Sequence, residues 1–218
     1  MNGMTNLIKL FSILQLTKEQ PLTGYLTAGI KQHETCTLAE HHYTATLLGW
    51  LIVGKIKQAG GKINERTVIF MLMIHDLSEL FGGDIAGPLN RKYPDLREYK
   101  DKIGERAIEL LTSYLDESAA TEWKTLWQQM IKADTDEAIV VKICDQMDHQ
   151  FFLEHHNYKT KYNPNHTDYR PIFIEKHIHA LTSRIKDEKT RATVNSFLKE
   201  FNTNFLNEGF QSASLLMD

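Results

Sequence analysis

His41, the pair His75-Asp76 and Asp145 stand out in this chain because each ionisable group interrupts an apolar pattern. Ile74-His75-Asp76-Leu77-Ser78-Glu79 follows directly on the unbroken apolar run from Val68 to Ile74, a segment expected to be buried on most of its circumference. The stripe Leu38, His41, Ala45, Leu48, Ile52 puts a histidine where the helical period calls for a core residue. Asp145 likewise falls among Ala138, Val141, Cys144 and Met147. Burying an unpaired carboxylate is costly, so a shared partner is an economical explanation. Two imidazoles and two carboxylates suit a divalent transition metal such as Mn, Fe, Co, Ni or Zn. Such an ion would acidify a water and polarise a phosphoryl oxygen. If the helix continues, Glu79 lies one turn beyond His75 and is placed to take or deliver the proton.

Taken singly, each of these residues has a plainer reading. A lone His-Asp dipeptide arises often by chance, a lone histidine on an apolar face is more often a satisfied core residue, and Asp145 could pair with a lysine of another helix. His42 points about 100 degrees away from His41 on a helix, so it is expected to touch the surroundings of the site or solvent. His149 could neighbour the site through Asp145 or lie on a helix surface. His155, His156, His177 and His179 have no carboxylates at ligand spacing and read as surface or structural residues. Trp123 and Trp127 read as core or interface, and Cys144 as a packing residue.

The elements that must position these groups read as helices throughout. Apolar residues recur at spacings of three and four, no extended period-two segment is convincing, and prolines fall mostly where helices should be interrupted. The expected helices run over about 5–16, 38–58, 65–80, 96–115 and 136–157, with a short one around Trp123 and Trp127. The second of them closes at Gly60-Gly61. The 96–115 helix carries Ile103, Ala107, Leu110, Leu111 and Tyr114 on one side. Residues 82–88 read as a turn and 159–169 as a loop; a long helix over about 172–198 is followed by a less ordered tail, 203–218. The fold class is all-α, in one domain over 1–218 with a motif-bearing core over about 38–157.

With 42% hydrophobic and 24% charged residues, the composition is that of a soluble globular protein. A net charge of -3 and the lack of a dense Lys/Arg block argue against a polymeric nucleic acid as partner. Only Cys36 and Cys144 are present, which suits a reducing compartment. No stretch is apolar enough to span a bilayer and no signal core follows Met1, so no membrane partner and a cytoplasmic location are expected.

Together, in the order His, His-Asp, Asp on separate helices, these residues favour the metal site. The order and contexts resemble the HD-domain phosphohydrolases, in particular the branch of the 5'-deoxynucleotidases of the YfbR type and their eukaryotic relatives. The matching pieces are Ala39-Glu40-His41, His75-Asp76-Leu77-Ser78-Glu79, Gly83-Asp84-Ile85 with Pro88, and Asp136-Glu137-Ala138 through Val141-Lys142 to Asp145. They continue into Gln146-Met147-Asp148-His149-Gln150 and span over half the chain. The resemblance implies an HD-domain helical bundle with one divalent ion (Mn, Co, Fe, Ni, Zn or Mg) held by His41, His75, Asp76 and Asp145. It implies a catalytic role for Glu79, and for Asp84 a role near the substrate phosphate or the leaving sugar oxygen.

The implied reaction is hydrolysis of a small-molecule substrate, a deoxynucleoside 5'-monophosphate, to nucleoside and phosphate. Members of this branch commonly form homodimers. One departure concerns the substrate. The branch carries a phosphate-binding arginine about fifteen residues ahead of the first metal histidine, whereas the stretch Tyr25 to Lys31 contains none. Lys31, or Lys142, could supply the charge but not the planar fork. Two other readings are an HD hydrolase of another phosphate ester, such as a nucleoside triphosphate or an alarmone, and a non-catalytic nucleotide-binding HD module. Retention of the whole charged set argues against the last.

Overall fold

The computed structural model describes residues 3–27, 30–83, 89, 92–156 and 177–205. Among them there is no strand, only an isolated antiparallel bridge between Pro21 and Thr37, so the all-α expectation holds. The α-helices are α1 (Gly3–Leu14), α2 (Thr23–Thr27), α3 (Leu38–Gln58), α4 (Glu65–Ile74), α5 (Leu96–Thr112), α6 (Glu117–Lys132), α7 (Asp136–His155), α8 (His179–Thr182) and α9 (Glu188–Glu200). Short 3-10 turns occupy Gln15–Lys18, Gln32–Glu34 and Leu77–Glu79, and a π-helical turn occupies Phe201–Phe205. The chain divides into two compact units, Met1–Tyr43 with Met73–Gln128, and Thr44–Leu72 with Gln129–Asp218.

In the first unit, the segment before α3 is pinned by backbone bonds at the bridge. The Leu22 amide donates to Cys36 O (3.1 Å) and the Leu38 amide to Gln20 O (2.8 Å). Thr37 then starts α3 with a capping box: its amide and hydroxyl donate to Glu40 Oε2 (2.7 and 3.0 Å), and the Glu40 amide donates back to Thr37 Oγ1 (3.3 Å). Further along, α5 lies against the Leu77–Glu79 turn. A Cβ on Gly104 would come within 3.1 Å of Trp127 Cζ2 and 3.3 Å of Ser78 Cβ, so glycine sets how closely the helix approaches. The buried face of α5 is Gly104, Ala107, Ile108, Leu111 and Thr112. The expected stripe was therefore rotated: Ile103 and Leu110 are exposed, because the contact that decides the face runs through a glycine, which an apolar count overlooks.

In the second unit, α3 ends where expected. Gly60 takes φ +77° and the Gly61 amide donates to Ile56 O (2.9 Å), the left-handed glycine stop of a helix. Within α3, a Cβ on Gly49 would collide with the Leu72 side chain of α4, so that helix pair packs through a glycine notch. Helix α7 starts at Thr135, whose hydroxyl oxygen accepts the Ala138 amide (3.2 Å). Its Ile139, Val140, Val141, Ile143 and Met147 are all at or below 1% exposed, each contributing roughly 1.5–3 kcal/mol of burial.

Asp136 accepts the amides of Lys186 and Asp187 (both 2.8 Å). Asp187 in turn caps α9 by accepting the Thr190 amide and hydroxyl (both 2.8 Å). The single helix expected over 172–198 is therefore two in the described residues, α8 and α9, separated at Ser183–Asp187 by this capped break. The expected loop 159–169 and the tail beyond 205 lie outside the described residues.

Candidate metal centre

Helix α3 carries His41 in its first turns, with the His41 amide donating to Thr37 O (3.1 Å), so the capping box fixes where the imidazole emerges. His75 and Asp76 do not extend α4. The helix stops at Ile74, the pair forms a turn, and Asp76 takes φ -106°, ψ 11°, a sparsely populated region of backbone space in which many active-site residues sit. The expected continuous helix over 65–80 is thus corrected. Glu79 belongs to a 3-10 turn, its amide donating to Asp76 O (2.9 Å), rather than standing one α-turn beyond His75.

The turn brings three heteroatoms together. His41 Nε2 lies 3.0 Å from His75 Nε2, and Asp76 Oδ2 lies 3.3 Å from His75 Nε2 and 3.8 Å from His41 Nε2. Both histidines are buried, at 1% and 4% exposed, while the Asp76 carboxylate is partly open to solvent. Two facing imidazole nitrogens can share one proton, and a second would set two N–H donors against each other. A divalent cation instead accepts both lone pairs and the carboxylate oxygen, and the nitrogen and oxygen donor set is of the kind such ions take. The residues fit the ion. His41, His75 and Asp76, all in the first unit, each offer one atom able to bind an ion, and these atoms lie within 4.8 Å of one another. Asp145, on α7, receives Gln146 Nε2 on Oδ2 (3.1 Å), and its Oδ1 stands 3.2 Å from His149 Nε2.

The comparisons agree with this geometry. A family model described as HD domain matches residues 14–203. The chain belongs to the HD-domain family. Among similar proteins, the 5'-deoxynucleotidase HDDC2 of Dictyostelium discoideum is 28% identical over 147 residues, covering 66% of this chain and 74% of that protein. The protein of that name from Danio rerio is 27% identical over 157 residues, covering 72% of this chain and 71% of that protein. Among solved structures, a conserved hypothetical protein from Pyrococcus furiosus superposes with a TM-score of 0.66 at 19% identity, covering 89% of this chain and 98% of that one. The resemblance to the 5'-deoxynucleotidase branch is borne out by these relatives.

In the Leu77–Glu79 turn, Glu79 is 14% exposed and its Oε1 pairs with Lys100 Nζ of α5 at 3.0 Å. Lys100 was not singled out from the sequence, because a lysine on an amphipathic helix is ordinary and its partner lies 21 residues away. Lys31 is exposed, and its backbone amide donates to Glu34 Oε2 (3.4 Å) within its own turn. Asp84 lies outside the described residues, as do Ile85 and Pro88. His42 is more buried than expected of a residue facing solvent, 9% exposed, with its ring centroid 4.7 Å from that of His75. Trp127 is core, and His155, His156, His177 and His179 are exposed. Cys144 is fully buried; that burial, with Asp145 and then Asp148 nearby, pushes its thiol well above the ordinary range, so it packs as a neutral group.

Proposed function

We propose that the chain is a divalent-metal-dependent phosphohydrolase that converts deoxynucleoside 5'-monophosphates to nucleoside and phosphate. The convergence of two buried imidazole nitrogens and a carboxylate oxygen at 3.0, 3.3 and 3.8 Å carries this reading, and the names of the HD-domain relatives supply the substrate class. His41, His75, Asp76 and Asp145 would hold the ion. When bound it supplies Lewis acidity, withdrawing charge from a phosphoryl oxygen and making water a better nucleophile at neutral pH.

The remaining work falls to side chains of this chain. The Glu79 carboxylate takes the proton of the attacking water, and the ester bond between phosphorus and the sugar oxygen breaks. Asp84 orients or protonates that leaving oxygen, and Lys31 balances phosphate charge. His42 packs beside His75 and limits the rotation of its ring. A phosphate-release screen over nucleotides, with Mn, Co, Ni, Mg and Zn supplied in turn, tests the proposal. Release of phosphate from deoxynucleoside monophosphates supports it, and silence under every metal overturns it.

A second reading keeps the centre and changes the ester to a nucleoside triphosphate or an alarmone. It is favoured by the lack of any arginine from Tyr25 to Lys31. The products separate the two, since pyrophosphate or triphosphate marks cleavage at another position.

A further inference from the structure

Lys100 Nζ lies 3.0 Å from Glu79 Oε1, in a pair whose side chains are 34% and 14% exposed. The backbone of Glu79 is held on both sides, its amide donating to Asp76 O (2.9 Å) and its carbonyl accepting the Gly83 amide (2.8 Å). Gly83 makes that bond from φ +66°, a conformation that favours glycine. Neither bond reaches the carboxyl group, which ends a side chain with several rotatable bonds. A proton carrier set loosely relative to its substrate loses much of its effect, so something must fix the carboxylate itself.

Helix α5 is built to do so. Gly104, one turn after Lys100, allows the helix to approach Ser78 to within a distance that a Cβ would already crowd at 3.3 Å. On the other side of the turn, a Cβ on Gly82 would stand 2.8 Å from Ile103 Cγ2. Lys100 is thereby delivered to the Leu77–Glu79 turn by packing, with no need for a long unsupported reach across solvent.

We propose that Lys100 is a positioning residue, which orients the Glu79 carboxylate for proton transfer. This rests on the reading of Glu79 as the proton carrier. A single partly exposed pair of this kind adds only modestly to stability. A pair that aligns a reacting group shows itself in kcat instead. A lysine that bound the substrate phosphate would act mainly on KM.

The test uses the full chain with Mn²⁺ supplied and thymidine 5'-monophosphate as the probe. Lys100→Met should lower kcat by about 10–100-fold with KM changed less than about threefold, and with the bound Mn unchanged. Lys100→Arg, which keeps the charge, should recover most of the loss. Unchanged kcat, a rise in KM alone, or an Arg variant as slow as Met would overturn the proposal. A melting-temperature cycle over Lys100→Met, Glu79→Gln and the double variant reads the pair without turnover: the double loss should fall short of the sum by about 2 °C. Additive losses overturn the pairing even in an active enzyme. A wild-type protein that releases no phosphate from any ester sinks the functional reading while leaving the melting cycle to decide the pair.

Discussion

Glu79 shares one short stretch of chain with His75 and Asp76, and their separate tasks should separate in experiment. Glu79→Gln keeps the shape and removes the base, so turnover should fall by about 10²–10⁴-fold with metal content intact by elemental analysis. His75→Ala removes a buried nitrogen that faces His41 Nε2 at 3.0 Å, so that variant should lose the metal together with activity. These residues were legible in the sequence because each breaks a binary pattern: a charge on an apolar stripe demands a reason. Lys100 breaks no such pattern. Its role depends on a partner 21 residues away, which no local spacing reveals.

The helices place these side chains, and their ends matter more than their middles. Thr37→Ala removes one half of the capping box that starts α3 and should cost about 1 kcal/mol, read as a melting temperature lower by roughly 2–4 °C. Gly49→Leu would drive a side chain into Leu72 and should destabilise by about 1–3 kcal/mol through overpacking. At the start of α9, the Thr190 amide and then its hydroxyl, followed by the Lys62 amide, hold the Asp187 carboxyl below the usual carboxylate range.

A depressed folded pKa means that this stabilisation is present above the unfolded value and is lost as pH falls through the folded one. Asp187→Asn, which keeps a capping oxygen without the charge, should flatten melting temperature against pH below about pH 4. The end of α3 was readable from Gly60-Gly61. The stop of α4 was not, since no glycine or proline occurs from Val68 to Phe81. The turn there runs against local propensity, as functional sites often do.

At the scale of the whole chain, the HD-domain match runs from residue 14 to 203 and so includes residues of both compact units. No helix among the described residues is long and apolar enough to cross a membrane. Because an ion held by the folded chain and not by the unfolded one stabilises by mass action, chelation should lower the melting temperature by roughly 5 °C or more at saturating metal. His75→Ala should show no such response, and an equal response in both proteins would place the ion elsewhere. The sequence by itself determined the helical class, the glycine stop of α3 and the residue types able to hold a metal, because periodicity, capping and side-chain chemistry are local properties. Only the tertiary structure decided that α4 breaks before His75, that His41 and His75 face each other at 3.0 Å, and that Lys100 meets Glu79. Those facts arise from packing between segments far apart in the chain, where a rotation of one helix face, as in α5, changes every partner.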